Sequence, residues 1–420
     1  KPLILLAFCR YRYHTSLFRE PDFGGACGLP FQAGRKYNKH IKNNFDQSAY
    51  KEKRRQDVSN LYHYTSVQGF ESIIKNQCLR MTRSDFMNDP RDCQVFFDIV
   101  ERYIEKISVD EISYSLNLNH RELVLKTVKQ YPAADYLRFI VDNIPIYVLS
   151  LTTEPDSLPM WNYYSGDGVQ FAFDKALLLG EISKRLCRKN FDFVAATEIE
   201  YIDAENSAPI DLKLNSFSDF NVYYYSESKN TAVQYMQDLK HRAEGDLEFF
   251  VDSFVKSYLN TASYCLDFTE SRTEFFSKIF YTNRDIVQNR PQFNLKFKAD
   301  IDLYMLILAT HFKPKTFSNE KEHRIVFFHY DLSGRARKLE CYALSNYRFG
   351  TCLRPYIECR FNEENRSFLD MIRSVTLSPT TVKMPFDSNA YRGVICNFLN
   401  QYGGDFSVEQ IHLSGHDIRW

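Results

Sequence analysis

Three groups of residues in this chain have the types and spacing to do chemistry. Glu320, Glu322 and Arg324 take alternate positions in Glu320-Lys321-Glu322-His323-Arg324, directly ahead of the apolar run Ile325-Val326-Phe327-Phe328. Strand geometry puts all three on one face. Two carboxylates and a guanidinium are costly to bury without partners, so that face is either solvent or a site. His63 stands in Leu61-Tyr62-His63-Tyr64-Thr65-Ser66, where alternation turns it away from Tyr62 and Tyr64. A strand that ends on His63 and Thr65 and turns at once into a helix is a common place for a ligand; the plainer account of His63 is a hydrogen-bonded core histidine. The third group is Met160-Trp161-Asn162-Tyr163-Tyr164-Ser165-Gly166-Asp167-Gly168, a loop whose aromatics suit a stacking platform, with Trp161 equally fit to be a packing anchor. Asp89, Glu320 and Glu322 would also make oxygen ligands for a hard cation, which points to a metal-dependent nuclease or hydrolase. Against that, Asp89 precedes Pro90 and fits a plain turn cap.

The elements that must position these groups are legible as periodicities. Ser66 is placed to cap a helix carrying Val67, Phe70, Ile73 and Ile74, and Leu79-Arg80-Met81 reads as extended. Phe86 to Pro90 reads as a turn, followed by a core helix with Val95, Phe96, Ile99, Val100, Tyr103, Ile104 and Ile107 on one face. Ile144 to Thr153 and Val169 to Phe173 are strands around the aromatic loop, and Asp174 caps a helix to about Arg188. A strand follows near Thr197 to Ile202, and Tyr225 to Phe312 reads as a helical insertion peripheral to the site. Shorter strands follow Phe328, around Leu339 to Ala343, Tyr356 to Phe361, Val375 to Leu377 and Gln410 to Leu413, with helices near Glu363 to Ile372 and Tyr391 to Leu399. The expected fold is α+β: a central mixed or antiparallel sheet holding the His63, Ile146–Leu151, Val169–Phe173 and Glu322–Phe328 strands, flanked by helices.

Composition narrows the classes. The 420 residues are 44% hydrophobic and 25% charged, ordinary for a globular chain. The 53 basic and 53 acidic residues cancel, so no global field argues for nucleic acid. Ten cysteines without a Cys-x-x-Cys pair or zinc spacing suggest reduced thiols and a cytoplasmic protein. Pro2 to Cys9 is apolar but shorter than a membrane span. Residues 1–58, with an interrupted basic run from Arg35 to Arg55, read as an arm or linker, and 59–420 as a single catalytic-type domain with its insertion at about 225–312.

Tyr62-His63-Tyr64-Thr65, Phe86-Met87-Asn88-Asp89-Pro90, Met160 to Tyr164 with Gly168, Glu320 to Arg324, Leu377-Ser378-Pro379 and Ser414 to Arg419, taken in order, resemble a mostly bacterial family catalogued as domain of unknown function 2971. Phe317 stands where that family often has a tryptophan. A more distant similarity is to ADP-ribosyltransferases of the His-Tyr-Glu type, whose substrate is NAD. That resemblance implies an NAD-dependent transferase or NAD-cleaving effector, such as a toxin or antiphage defence protein. It makes His63 the ribose contact, Tyr164 or Tyr163 the nicotinamide stack and Glu322 the catalytic acid. Glu320 would orient the acceptor, Arg324 would pair with a carboxylate or phosphate, and Tyr64, Thr65 and Trp161 would line the NAD site. No resident metal is implied. The remaining alternative is a non-enzymatic interaction or sensor protein, in which the same polar residues tie the core together.

Overall fold

A computed structural model of the chain describes residues 60–87, 93–104, 129–189, 192–202, 221–226, 231–235, 247–262, 271–282, 295–329, 340–347, 350–361, 368–383 and 386–416, with a few single positions between them. The arm expected over 1–58 lies outside these residues. β1 (Asn60–Thr65) ends at Ser66, whose Oγ accepts from the Gly69 N–H at 3.1 Å and so starts α1 (Val67–Asn76). Such a cap is worth about 1 kcal/mol. β2 (Cys78–Arg83), α2 (Gln94–Ile104) and α3 (Ala133–Asn143) lead to β3 (Ile146–Thr152). A helical turn, Leu158–Met160, runs into π-helical Trp161–Ser165 before β4 (Val169–Asp174). Asp174 then caps α4 (Lys175–Leu186) through the Leu177 N–H at 2.9 Å. β5 (Asp192–Glu198), β6 (Glu200–Ile202), β7 (Asn221–Ser226) and β8 (Thr231–Tyr235) precede α5 (Leu247–Ala262), α6 (Arg272–Thr282) and α7 (Leu295–Ala309). The chain continues through β9 (Phe312–Pro314), a 3₁₀ turn Lys315–Glu320, β10 (Glu322–His329), β11 (Cys341–Tyr347), β12 (Gly350–Arg360), β13 (Ile372–Leu377), α8 (Ser388–Gln401) and β14 (Ile411–Leu413).

Twelve strands form one sheet, whose main path is β14-β13-β4-β1-β3-β10-β5-β7-β8. Only the β13–β14 pair in it is parallel, so the protein is α+β with a mixed, mostly antiparallel sheet. The four strands expected at its centre are neighbours, β4-β1-β3-β10. The sheet forks at β3: Thr152 faces Tyr62 of β1, whereas Val148 and Tyr147 face Thr82 and Arg83 of β2, which carries β12 and β11 outward. Each face buries its own core. Ile146, Val148, Val326 and Phe328 pack with α2, α3, α5, α6 and α7 on one side. Leu61, Leu151, Phe171, Phe173, Ile325 and Phe327 pack with α1, α4 and α8 on the other.

Three sequence expectations change here. The aromatic segment is not an irregular loop but a helical turn, closed by the Gly166 N–H on the Trp161 carbonyl at 2.7 Å. Glu320 is not on the strand: it ends the 3₁₀ turn, and Lys321, at φ 43°, swings the chain into β10 at Glu322. The Tyr225–Phe312 stretch is helical only from Leu247 in its described part. Before that, Tyr225 belongs to β7 and Thr231–Tyr235 forms β8, both rich in the aromatic and β-branched residues that suit a pleated surface.

Candidate functional site

Register across the sheet decides which of the singled-out residues meet. Glu322 pairs with Thr152, and Thr152 with Tyr62, so these three lie in one row on the face shared by Arg324 and Ser150. Alternation sends Leu61, His63 and Thr65 through to the other face, with Phe171 and His323. His63 is therefore within about 10 Å of Glu322, two strand spacings away, but on the opposite side of the backbone. Burial lowers its pKa to about 4 against a hydrogen bond to the Ser150 backbone. Because that bond favours the protonated ring, it runs to the carbonyl, whose position on β3 lies between the residues paired with β1 and β2. The structure does not bring His63 or Thr65 to the carboxylates.

What gathers around Glu322 is a compact charge cluster. Lys313 Nζ lies 2.7 Å from Glu322 Oε2 and 2.9 Å from Glu320 Oε2. Arg324 Nε donates to Glu322 Oε1 at 2.8 Å, and its Nη1 to the Thr310 carbonyl at 2.9 Å. Tyr164 donates its hydroxyl to Glu320 Oε1 at 2.6 Å, and Tyr201 accepts the Glu322 N–H at 2.8 Å. Burial by itself would raise the Glu322 pKa, but Arg324 and Lys313 outweigh it and hold the carboxyl down at about 2. Lys313 is desolvated too, yet Glu322 keeps its pKa above the usual lysine value. The Tyr164 phenol is raised by burial and then by the Glu320 charge, so it stays a donor.

Local structure explains why these side chains converge. β6 peels away from β5 after Ile199, whose N–H bonds the Glu322 carbonyl, and pairs in parallel with β9. That ribbon sets Tyr201 opposite Lys313 and delivers both to β10. Glu320 is fixed through its backbone, which accepts from Thr152 Oγ1 at 2.7 Å. Thr310 arrives from the end of α7, and its neighbour His311 puts Nδ1 2.7 Å from Thr197 Oγ1. The segment expected to lie away from the site thus touches it at its end, through Thr310.

The aromatic residues divide by depth. Tyr163 is 76% and Tyr164 38% exposed, whereas Trp161 is 1% exposed, edge-on to Tyr64 at 4.8 Å. The Tyr64 hydroxyl is fully engaged: it accepts from the Ser157 N–H and Gln170 Nε2 and donates to the Glu154 carbonyl. Trp161 and Tyr64 therefore support the turn from beneath, and Tyr163 and Tyr164 face outward. Glu320 keeps 12% of its side chain accessible against 4% for Glu322, so Glu320 is the more open of the two carboxylates. Lys313, Tyr201 and Thr310 are the participants that sequence reasoning missed. Lys313 alone left a trace, as one of two lysines, with Lys315, between the apolar run ending at Ala309 and the two glutamates.

The metal alternative meets a chemical obstacle. The Lys313 ammonium already bridges the two carboxylates that would ligate a cation, and among the described residues no three of His, Cys, Asp or Glu gather closely enough to hold one. Among the same residues no helix is long and apolar enough to cross a membrane.

The fold and cluster define an α+β protein with a paired-carboxylate site under an aromatic turn. Residues 160–325 match the model of a family described as Protein of unknown function (DUF2971). The matched stretch opens one residue before Trp161 and closes one after Arg324, so it contains every ionic member of the cluster. No curated protein and no solved structure matches the chain.

Proposed function

We propose that the chain cleaves the bond between ribose and nicotinamide in NAD and passes the ADP-ribosyl group to water or an acceptor, as an NAD-consuming transferase of effector or defence type. The contact between the Tyr164 hydroxyl and Glu320 carries this reading, because it puts an outward aromatic ring beside a reachable carboxylate. Nicotinamide would lie on Tyr164 or Tyr163. As its bond to ribose C1′ breaks, the electron pair goes to the ring nitrogen and positive charge grows on the ribose, where a fixed carboxylate is most effective. The entering water or acceptor gives up its proton to Glu320.

On this reading Glu320, the more accessible carboxylate, takes the ribose-facing role that the resemblance gives to Glu322. Glu322 is enclosed and holds Lys313, which in turn orients Glu320; Glu320 faces the ribose. Arg324, wholly buried, pairs with Glu322 and is out of reach of a substrate phosphate. His63 takes no part on this face. Mass-spectrometric detection of nicotinamide release, with and without magnesium or manganese, tests the reading. Metal-independent release supports it, and release only with metal would favour the hydrolase alternative.

One observation favours a second, non-enzymatic reading. Glu322, Lys313, Arg324 and the Thr310 carbonyl close on one another and tie together β9, β10 and the end of α7. On that account Glu320→Gln and Glu322→Gln both lower the melting temperature, and no preparation of the folded chain consumes NAD.

A further inference from the structure

We infer that Asp156, held by the segment Ser414–His416, is a positioning residue that sets the aromatic turn and thereby places Tyr164 at Glu320. Asp156 follows β3 in a left-handed conformation, φ 50°. Its Oδ1 accepts from Trp161 Nε1 at 2.8 Å and from Ser414 Oγ at 2.6 Å, and its Oδ2 accepts the Gly415 N–H at 2.7 Å. The Asp156 carbonyl lies 2.5 Å from His416 Nε2. One residue thus joins the first side chain of the turn to a segment more than two hundred and fifty residues on, as the separation of 258 positions between Asp156 and Ser414 shows. Burial raises the carboxyl pKa, yet Ser414, Trp161, Gly415 and the His416 charge together hold it below the usual value, as expected for a charge-assisted tie.

The far end of the turn is fastened to the same edge of the sheet. Ser378, just past β13, donates its hydroxyl to the Gly166 carbonyl at 2.6 Å and its N–H to the Gly168 carbonyl at 3.1 Å. Ser414, just past the neighbouring β14, bonds the Leu377 carbonyl through its N–H at 3.0 Å. The β13–β14 edge therefore grips the turn before Trp161 and after Ser165. Trp161, packed edge-on to Tyr64, has no freedom to shift unless Asp156 releases it, and Tyr164 follows three residues later. This gives a role to Ser378 of the Leu377-Ser378-Pro379 motif and to Ser414–His416, the described part of the last motif.

The sequence has two tryptophans, so Trp420→Phe leaves Trp161 as the sole indole emitter. In that background, Ser414→Ala removes one tie, and Asp156→Asn sets an amide N–H against the Gly415 N–H while Asn still tolerates the left-handed backbone. Both are expected to raise acrylamide quenching of Trp161 about twofold or more, and Ser414→Thr, which keeps the hydroxyl, to restore the parent value. The effect on turnover rests on the NAD reading: KM for NAD should rise about tenfold in both variants, with kcat changed less. Unchanged quenching would overturn the positioning role whatever the activity, and raised quenching with unchanged KM would overturn its link to the site. Raised quenching in a chain that never releases nicotinamide would leave the latch standing and remove the NAD reading. Ser414→Ala keeps the test open if Asp156→Asn does not fold.

Discussion

Lys313 Nζ is within 2.9 Å of both Glu320 and Glu322, so removing it leaves two anions facing one another inside the protein. Lys313→Met should destabilise the fold by about 3–5 kcal/mol, as breaking a buried pair from one side does, and urea denaturation measures it. A loss below about 1 kcal/mol would mean that the cluster is open to water. The buried histidines act at milder pH than the glutamate. Burial lowers the pKa of both His311 and His323 to about 3 from the unfolded 6.5. Unfolded histidine binds a proton below about pH 6.5 and these two do not, so unfolding takes up protons and stability falls as pH falls. With His63, held at about 4 by burial, three such groups give a slope of about 4 kcal/mol per pH unit between about pH 6 and pH 4.5, readable from urea midpoints. The Glu322 contribution, from a folded pKa of about 2, is complete above about pH 4.5 and is lost only as pH falls towards 2. His323 makes no hydrogen bond through either ring nitrogen among the described residues and sits beside Leu151 and Ile325. His323→Leu should therefore hold or raise stability at pH 7 and cut that histidine slope by about a third.

Among the elements, the junction of β1 with β4 is the least forgiving. A Cβ on Gly168 would fall 1.9 Å from the Thr65 carbonyl oxygen and 2.7 Å from the Ser66 Cα. Both obstacles are backbone, so Gly168→Ala must part the strand ends and should cost about 3 kcal/mol or more, seen as a lower thermal midpoint; a silent substitution would contradict this packing. The strands and capped helices were readable because each carries its own period: Ser66 and Asp174 cap where the sequence places them, and β4, β1, β3 and β10 show the expected strand character. Alternation also gave the opposite facing of His63 and the tyrosines. What it could not give was register, which sets Tyr62 beside Thr152 and Glu322 and leaves His63 behind the sheet. Nor could it show that Lys321 takes a left-handed turn, so Glu320 reaches the cluster from a 3₁₀ turn instead of the strand. Tyr201 was invisible for the same reason. Its role depends on the parallel ribbon of β6 with β9, a pairing between segments more than a hundred residues apart in the chain, as Tyr201 and Glu322, separated by 121 positions, show.

At the scale of the molecule, one sheet separates two chemistries. The face that carries Glu322 ends in charged and outward aromatic groups beneath the turn, and the face that carries His63 is packed with Phe70, Phe171 and Phe173. On the proposed reading the chemistry uses the first face, and substitution at His63 should then act through stability. Glu320 is the residue on which the two readings part, since it is reachable and holds Tyr164, while Glu322 is enclosed. The most direct measurement is nicotinamide release from NAD by the parent chain and by Glu320→Gln, each normalised to folded protein by its thermal melt. The account predicts release by the parent, a fall of about a hundredfold or more in the variant, and melting temperatures within a few degrees of each other. No release from the folded parent, or equal release from the Gln variant, would contradict it.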